Sequence, residues 1–158
     1  MSSTAFENNL VIYFRQHEDL HLSSLNSITN ISRQTLYNIF NEKHQIKMSS
    51  AIKISKALDI SFIQMNTPRL FETPNLTLQS FEKSLETHDF LLIFAQNIKR
   101  KLDLNNKWQV ALSTVPGVSA SEISNILKGK ITDPLLTTLE TICYQSGFHS
   151  LSEAFTRR

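Results

Sequence analysis

Two stretches of the chain, LSSLNSITNISRQTLYNIFNEK from Leu22 and QVALSTVPGVSASEISNILKGK from Gln109, space their apolar and turn residues alike. Leu25 stands seven residues before Ser32, and Leu112 seven before Ser119. Leu36 and Ile39 answer to Ile123 and Ile126, and Asn30-Ile31-Ser32 answers to Gly117-Val118-Ser119. Further on, Met48, Ala51, Ile54 and Leu58 answer to Leu136, Leu139, Ile142 and Ser146. An offset of about 87 residues held over such a length is an internal duplication. Whatever one half folds into, the other is expected to repeat.

The spacing is that of helices. Phe6, Leu10, Tyr13 and Phe14 recur at three- and four-residue intervals, predicting an amphipathic helix from Thr4 to Gln16. A short helix from Leu22 to Thr29 is expected to turn Leu25 and Ile28 inward. Asn30 tolerates left-handed backbone and suits the turn after it. Ser32 then caps a helix from Arg33 to Asn41 that buries Leu36, Ile39 and Phe40. Met48, Ala51, Ile52, Ile54 and Leu58 mark a fourth helix, and Ser61 to Met65 a short fifth. In the second half, Phe90, Ile93, Phe94, Ile98 and Leu102 predict an opening helix. Gln109 to Val115 is a short one, stopped by Pro116 and Gly117. Ser119 caps Ala120 to Lys128, Asp133 with Pro134 caps the next helix through Cys143, and Ser150 starts a short tail.

With only three glycines and four prolines, the chain has little of the turn chemistry that strands require. The expected class is therefore all-α. Two of the prolines, Pro68 and Pro74, fall between the halves and mark a linker. The division predicted is residues 1–66, a linker with a short helix around Phe81 and Leu85 over 67–87, and residues 88–158.

The same sequence argues against several functions. Cys143 is alone, so no internal disulfide forms, and no apolar run approaches the roughly 18 residues of a membrane span. The first residues lack the basic and apolar regions of a signal peptide, so a soluble, cytoplasmic protein is expected, associated with the nucleoid if it binds DNA. His17-Glu-Asp-Leu-His21 spells the zinc-peptidase motif, which needs both histidines on one unbroken helix and a third ligand. The first helix is expected to stop near His17, and no third ligand presents itself. Cys143 takes an inward helix position as a packed thiol, and Trp108 caps the second core. No glycine-rich phosphate loop or Ser/His/Asp order is present. No enzyme, cofactor or metal site is expected.

Each half resembles the lambda-repressor-like (Cro, XRE-type) helix-turn-helix domain, whose pattern is Gln-x-x-Leu-Ala, a Gly-Val-Ser turn, Ile-Ser-x-Ile and a closing Gly-Lys. The second half carries it in Gln109, Leu112, Gly117-Val118-Ser119, Ile123-Ser124-Asn125-Ile126 and Gly129-Lys130. The first keeps the spacing but has Leu22, Asn30 and Glu42 where the family favours Gln, Gly and Gly. The resemblance implies two tandem units of about five helices each. In each, one short helix lies in the major groove while its predecessor crosses the backbone.

In the first unit the outward positions of the groove helix are Arg33, Gln34, Thr35, Tyr37 and Asn38, with Asn41 and Lys43 at its far end for phosphate. Arg pairs bidentately with guanine and Gln or Asn with adenine, so this set is suited to reading bases. The second unit offers Ser121, Glu122, Ser124 and Asn125, with Gln109, Lys128 and Lys130 at the phosphate positions the resemblance implies. Glu122 is repelled by phosphate, although Glu can accept from cytosine. Net charge is only +2. It divides evenly, with seven Lys/Arg against six Asp/Glu in residues 1–75 and nine against eight in 76–158. DNA must therefore be held by local donors rather than a basic tail. A sequence-specific regulator of transcription is the expected function, a repressor binding double-stranded DNA as a homodimer on an inverted repeat. Near-neutral charge and Glu122 also fit an antirepressor or adaptor that uses the fold to bind a regulatory protein.

Overall fold

The computed structural model describes residues 4–17, 21–41, 46–68, 78, 80–104 and 118–156. Among them the regular structure is helical, with one isolated antiparallel bridge between Lys47 and Leu135. The helices expected at Gln109–Val115 and the segments holding Lys43 and Trp108 lie outside the described residues.

Helix α1 spans Ala5–Gln16. It opens on a capping box: Thr4 Oγ1 accepts from the Glu7 amide (3.2 Å) while Glu7 Oε1 takes the Thr4 amide (3.4 Å). Phe6 and Leu10 are buried on its inner face. Helices α2 (Leu22–Thr29), α3 (Arg33–Phe40), α4 (Met48–Ala57) and α5 (Phe62–Met65) follow. Leu25, Leu36, Ile39, Ala51 and Ile54 close the core between them. Ile28, expected inward, is 63% exposed. The buried partner of Leu25 is Thr29, one turn on, whose hydroxyl is satisfied by the Leu25 carbonyl (2.6 Å) and so tolerates burial.

After the first half comes α6 (Ser80–Lys83). Phe81 points outward, and Glu82 is the buried residue, accepting from the Ile63 amide (3.0 Å) in the first turn of α5. Lys56 Nζ donates to the Leu85 carbonyl (2.8 Å) and lies 3.5 Å from Glu86, which ties the connection to α4. Helices α7 (Thr87–Leu104), α8 (Ala120–Leu127), α9 (Leu136–Gln145) and α10 (Leu151–Phe155) complete the described chain. No helix among the described residues is long and apolar enough to cross a membrane.

The same local bonds recur along the chain. Asn9, buried on α1, donates through Nδ2 to the carbonyls of Met65 (3.0 Å) and Thr67 (2.8 Å). Asn97, buried on α7, donates to Ala154 (2.8 Å) and Thr156 (2.9 Å). Helices α3 and α8 are each eight residues long, and α4 and α9 each ten. One cluster of buried apolar residues draws on both halves. At its centre the Phe62 ring lies 5.0 Å from Phe90 and 5.2 Å from Phe155, with Phe6 6.0 Å away. A carboxylate also spans the halves. Glu140 of α9 accepts from the Ala5 amide at the start of α1 (3.0 Å), and burial raises its pKa above the ordinary carboxyl value against that bond.

Asp133 behaves otherwise than expected. It does not cap the helix that follows it, which begins at Leu136 after an uncapped Leu135. Its carboxylate reaches the other half, where Ser49 donates through both its amide (2.9 Å) and its hydroxyl (2.6 Å). Asp133 therefore caps α4, whose own preceding residue, Lys47, supplies no side-chain bond. The cause is the bridge: the Pro134 carbonyl is already engaged by the Met48 amide (2.9 Å), which holds the segment extended.

Candidate nucleic-acid interface

Helices α2 and α3 are joined by Asn30, which has φ 61° and ψ 23° in the left-handed region. The turn is pinned from both sides. Asn26 Nδ2 donates to the Ile31 carbonyl (2.6 Å), and the Ile31 amide reaches the Thr29 hydroxyl (3.2 Å). Ser32 then caps α3, its hydroxyl accepting from the Thr35 amide (3.1 Å) and donating to the Thr35 hydroxyl (2.8 Å). Buried Leu36 and Ile39 fix the inner face of α3, and Phe40 meets Phe14 of α1 edge-on at 4.5 Å. A short helix is thus held at one angle by its neighbours, with its first turn projecting.

The outer face carries the side chains singled out in the sequence. Arg33, Gln34 and Tyr37 are exposed, the last by 51%, while Thr35 and Asn38 are half-buried. Gln34 Nε2 donates to Asn38 Oδ1 (3.0 Å), so these two amides stand side by side along the face. Asn41, exposed beyond the helix end, is turned back on the Tyr37 carbonyl (2.8 Å). Two carboxamides, a guanidinium and a phenol on one convex surface can present donors and acceptors to base edges. No ionic partner holds Arg33 among the described residues.

α8 shares the capping geometry with different side chains. Ser119 accepts from the Glu122 amide (3.1 Å), and Ile123 and Ile126 are buried. Ala120 and Ser121 are exposed, and Glu122, Ser124 and Asn125 half-buried. The main chain then turns through Gly129 at φ 78°, a left-handed conformation, with Asn125 accepting from the Lys130 amide (2.8 Å). Lys128 and Lys130 are exposed on either side of that glycine. Gln109 and Lys43 are outside the described residues.

The histidines of the peptidase-like motif do not share a helix. α1 stops at Gln16, with His17 as its C-cap stacked on Tyr13 at 4.0 Å, and His21 precedes α2. Cys143 is buried; burial raises its thiol pKa, and Sγ donates to the Ser150 carbonyl (3.1 Å). What the sequence did not announce is the α2 start. His21 makes no side-chain cap there, so the first-turn amides of α2 lack that partner.

Residues 12–64 match the sequence model of the helix-turn-helix family, from within α1 to within α5. No curated protein and no solved structure matches the chain.

Proposed function

We propose that the chain is a sequence-specific DNA-binding regulator of transcription that reads the major groove with α3. The observation that carries this reading is the face of Arg33, Gln34 and Tyr37, exposed on a helix whose angle is fixed by α1 and α2 within the matched segment. Thr35 and Asn38 flank that face, and Asn41 and Lys43 are assigned to phosphate on the resemblance alone. The uncapped start of α2 faces the duplex backbone, because the first helix of the pair crosses it.

The reading extends to two tandem lambda-repressor-like units, residues 1–66 and 88–158, joined through 67–87. Its support is the recurrence of equal helix lengths and of the Asn9 and Asn97 bonds. In the second unit the reading assigns Ser121, Glu122, Ser124 and Asn125 to the bases, and Gln109, Lys128 and Lys130 to the phosphates. The resemblance implies a repressor with paired recognition helices, supplied on a two-fold operator by a homodimer if each chain offers only one reader. Ala120 and Glu122 make α8 the weaker reader, and an adaptor role for that helix would leave α3 alone on DNA.

The test is a gel-shift titration with duplexes selected from random sequence. The double substitution of Arg33→Ala and Gln34→Ala removes up to two bidentate pairs, each worth about 1–3 kcal/mol, so affinity for the selected site falls about tenfold or more. Far-UV circular dichroism should not change, since both side chains are exposed. Undiminished specific binding by the folded double variant refutes the assignment of α3.

A further inference from the structure

The main-chain contacts at the bridge between the halves repeat under exchange of the halves. Lys47 pairs with Leu135 in an antiparallel bridge, and these positions are 88 residues apart. The Met48 amide donates to the Pro134 carbonyl (2.9 Å), and the Leu136 amide donates to the Ile46 carbonyl (3.0 Å). Met48 and Leu136 differ by the same 88, as do Ile46 and Pro134. Exchanging each residue for its counterpart turns one bond into the other. That is the defining property of an isologous contact, the kind made by two subunits about a two-fold axis. Helix α5 also packs on α10, each being the last short helix of its half. α4 packs on α7, and α9 reaches α1 through Glu140 and Ala5.

We infer that the paired recognition helices come from one chain, which acts as a covalently joined pseudo-dimer and reads a non-palindromic DNA site of two unlike half-sites. The inference rests on the DNA-binding reading above. A two-fold exchange relates α3 to α8 across its axis, the relation that the recognition helices of two subunits hold in a dimer on a duplex. The surface a second copy would need at this axis is occupied by the chain's own other half. The side chains do not obey the symmetry. Arg33 corresponds to Ala120, Gln34 to Ser121 and Thr35 to Glu122, and of the outward positions only Asn38 and Asn125 agree. Two unlike readers demand two unlike half-sites, so an inverted repeat would leave one helix mismatched.

The experiment selects bound duplexes from a random pool with the full chain and measures the mass of the complex by light scattering at saturation. One chain per duplex is expected, on a non-palindromic motif whose two parts lie about 10 base pairs apart. Arg33→Ala with Gln34→Ala should erase preferences in one part only, and Ser121→Ala with Asn125→Ala in the other. Two chains on a palindrome overturn the inference while leaving the DNA-binding reading intact. One chain on a single half-site overturns it as well, because α8 then reads nothing. Failure to enrich any sequence removes the DNA-binding reading, and this inference with it.

Discussion

Asn30 holds a φ of 61° at the only turn that aims α3, and its side chain is exposed, so its contribution is made by the backbone. Asn bears left-handed backbone better than other residues with a Cβ, because its short polar side chain bonds locally. Gly bears it without cost, and a β-branched residue bears it poorly. Asn30→Gly is therefore expected to leave stability within a few tenths of a kcal/mol, whereas Asn30→Val should cost about 1–2 kcal/mol. Urea denaturation of the three proteins checks both, and an equal loss in the two variants would show that the side chain rather than the backbone matters. The same residue explains why a departure from the Gly-Val-Ser pattern does not disturb the turn: Asn26 and Thr29 tie it down from the helix side.

Among the elements, α4 depends on a side chain from the far half. Asp133 supplies the only side-chain cap at its start among the described residues, with two bonds to Ser49. Asp133→Ala should cost about 1–2 kcal/mol, the scale of a lost N-cap, and Asp133→Asn, which keeps a carbonyl oxygen for the Ser49 amide, should cost less. The denaturant midpoint should move with little change in slope, since the folded surface stays the same. An Asp133→Ala protein as stable as the parent would show that the cap is replaced by water. This element also marks the limit of what sequence could say. The apolar spacing of Phe6 and Leu10, or of Ile123 and Ile126, displays its helices because the period is local. The caps Ser32 and Ser119 were legible for the same reason, as was the exposed face of Arg33, Gln34 and Tyr37. Asp133 beside Pro134 carries the local signature of a helix start, yet its partner is 84 residues away. Ile28 misled because an eight-residue helix allows two inward stripes, and the hydroxyl bond of Thr29 decided between them. The Lys47–Leu135 bridge had no signature, since its bonds are made by main chain alone.

At the scale of the whole molecule, the duplication invites a picture of two beads on a string, and the aromatic cluster argues against it. Phe62 belongs to the first half, but two of its three ring neighbours, Phe90 and Phe155, belong to the second. All four rings are essentially without solvent contact. A pair of recognition helices can be held at a constant separation only if the halves do not move independently, and a shared core of this kind provides that rigidity without a second chain. It follows that neither half can lose its fold without uncovering the other's rings. Unfolding should be a single cooperative transition, followed alike by far-UV helical circular dichroism and by near-UV aromatic circular dichroism. Phe62→Ala, a truncation in the first half, should cost about 3–5 kcal/mol and lower both midpoints together. Independent halves would give another result, in which the helical signal splits into two steps and Phe62→Ala moves only one of them. That outcome would also release α3 and α8 from any fixed spacing, so the unfolding curves bear on the proposed DNA recognition as directly as on stability.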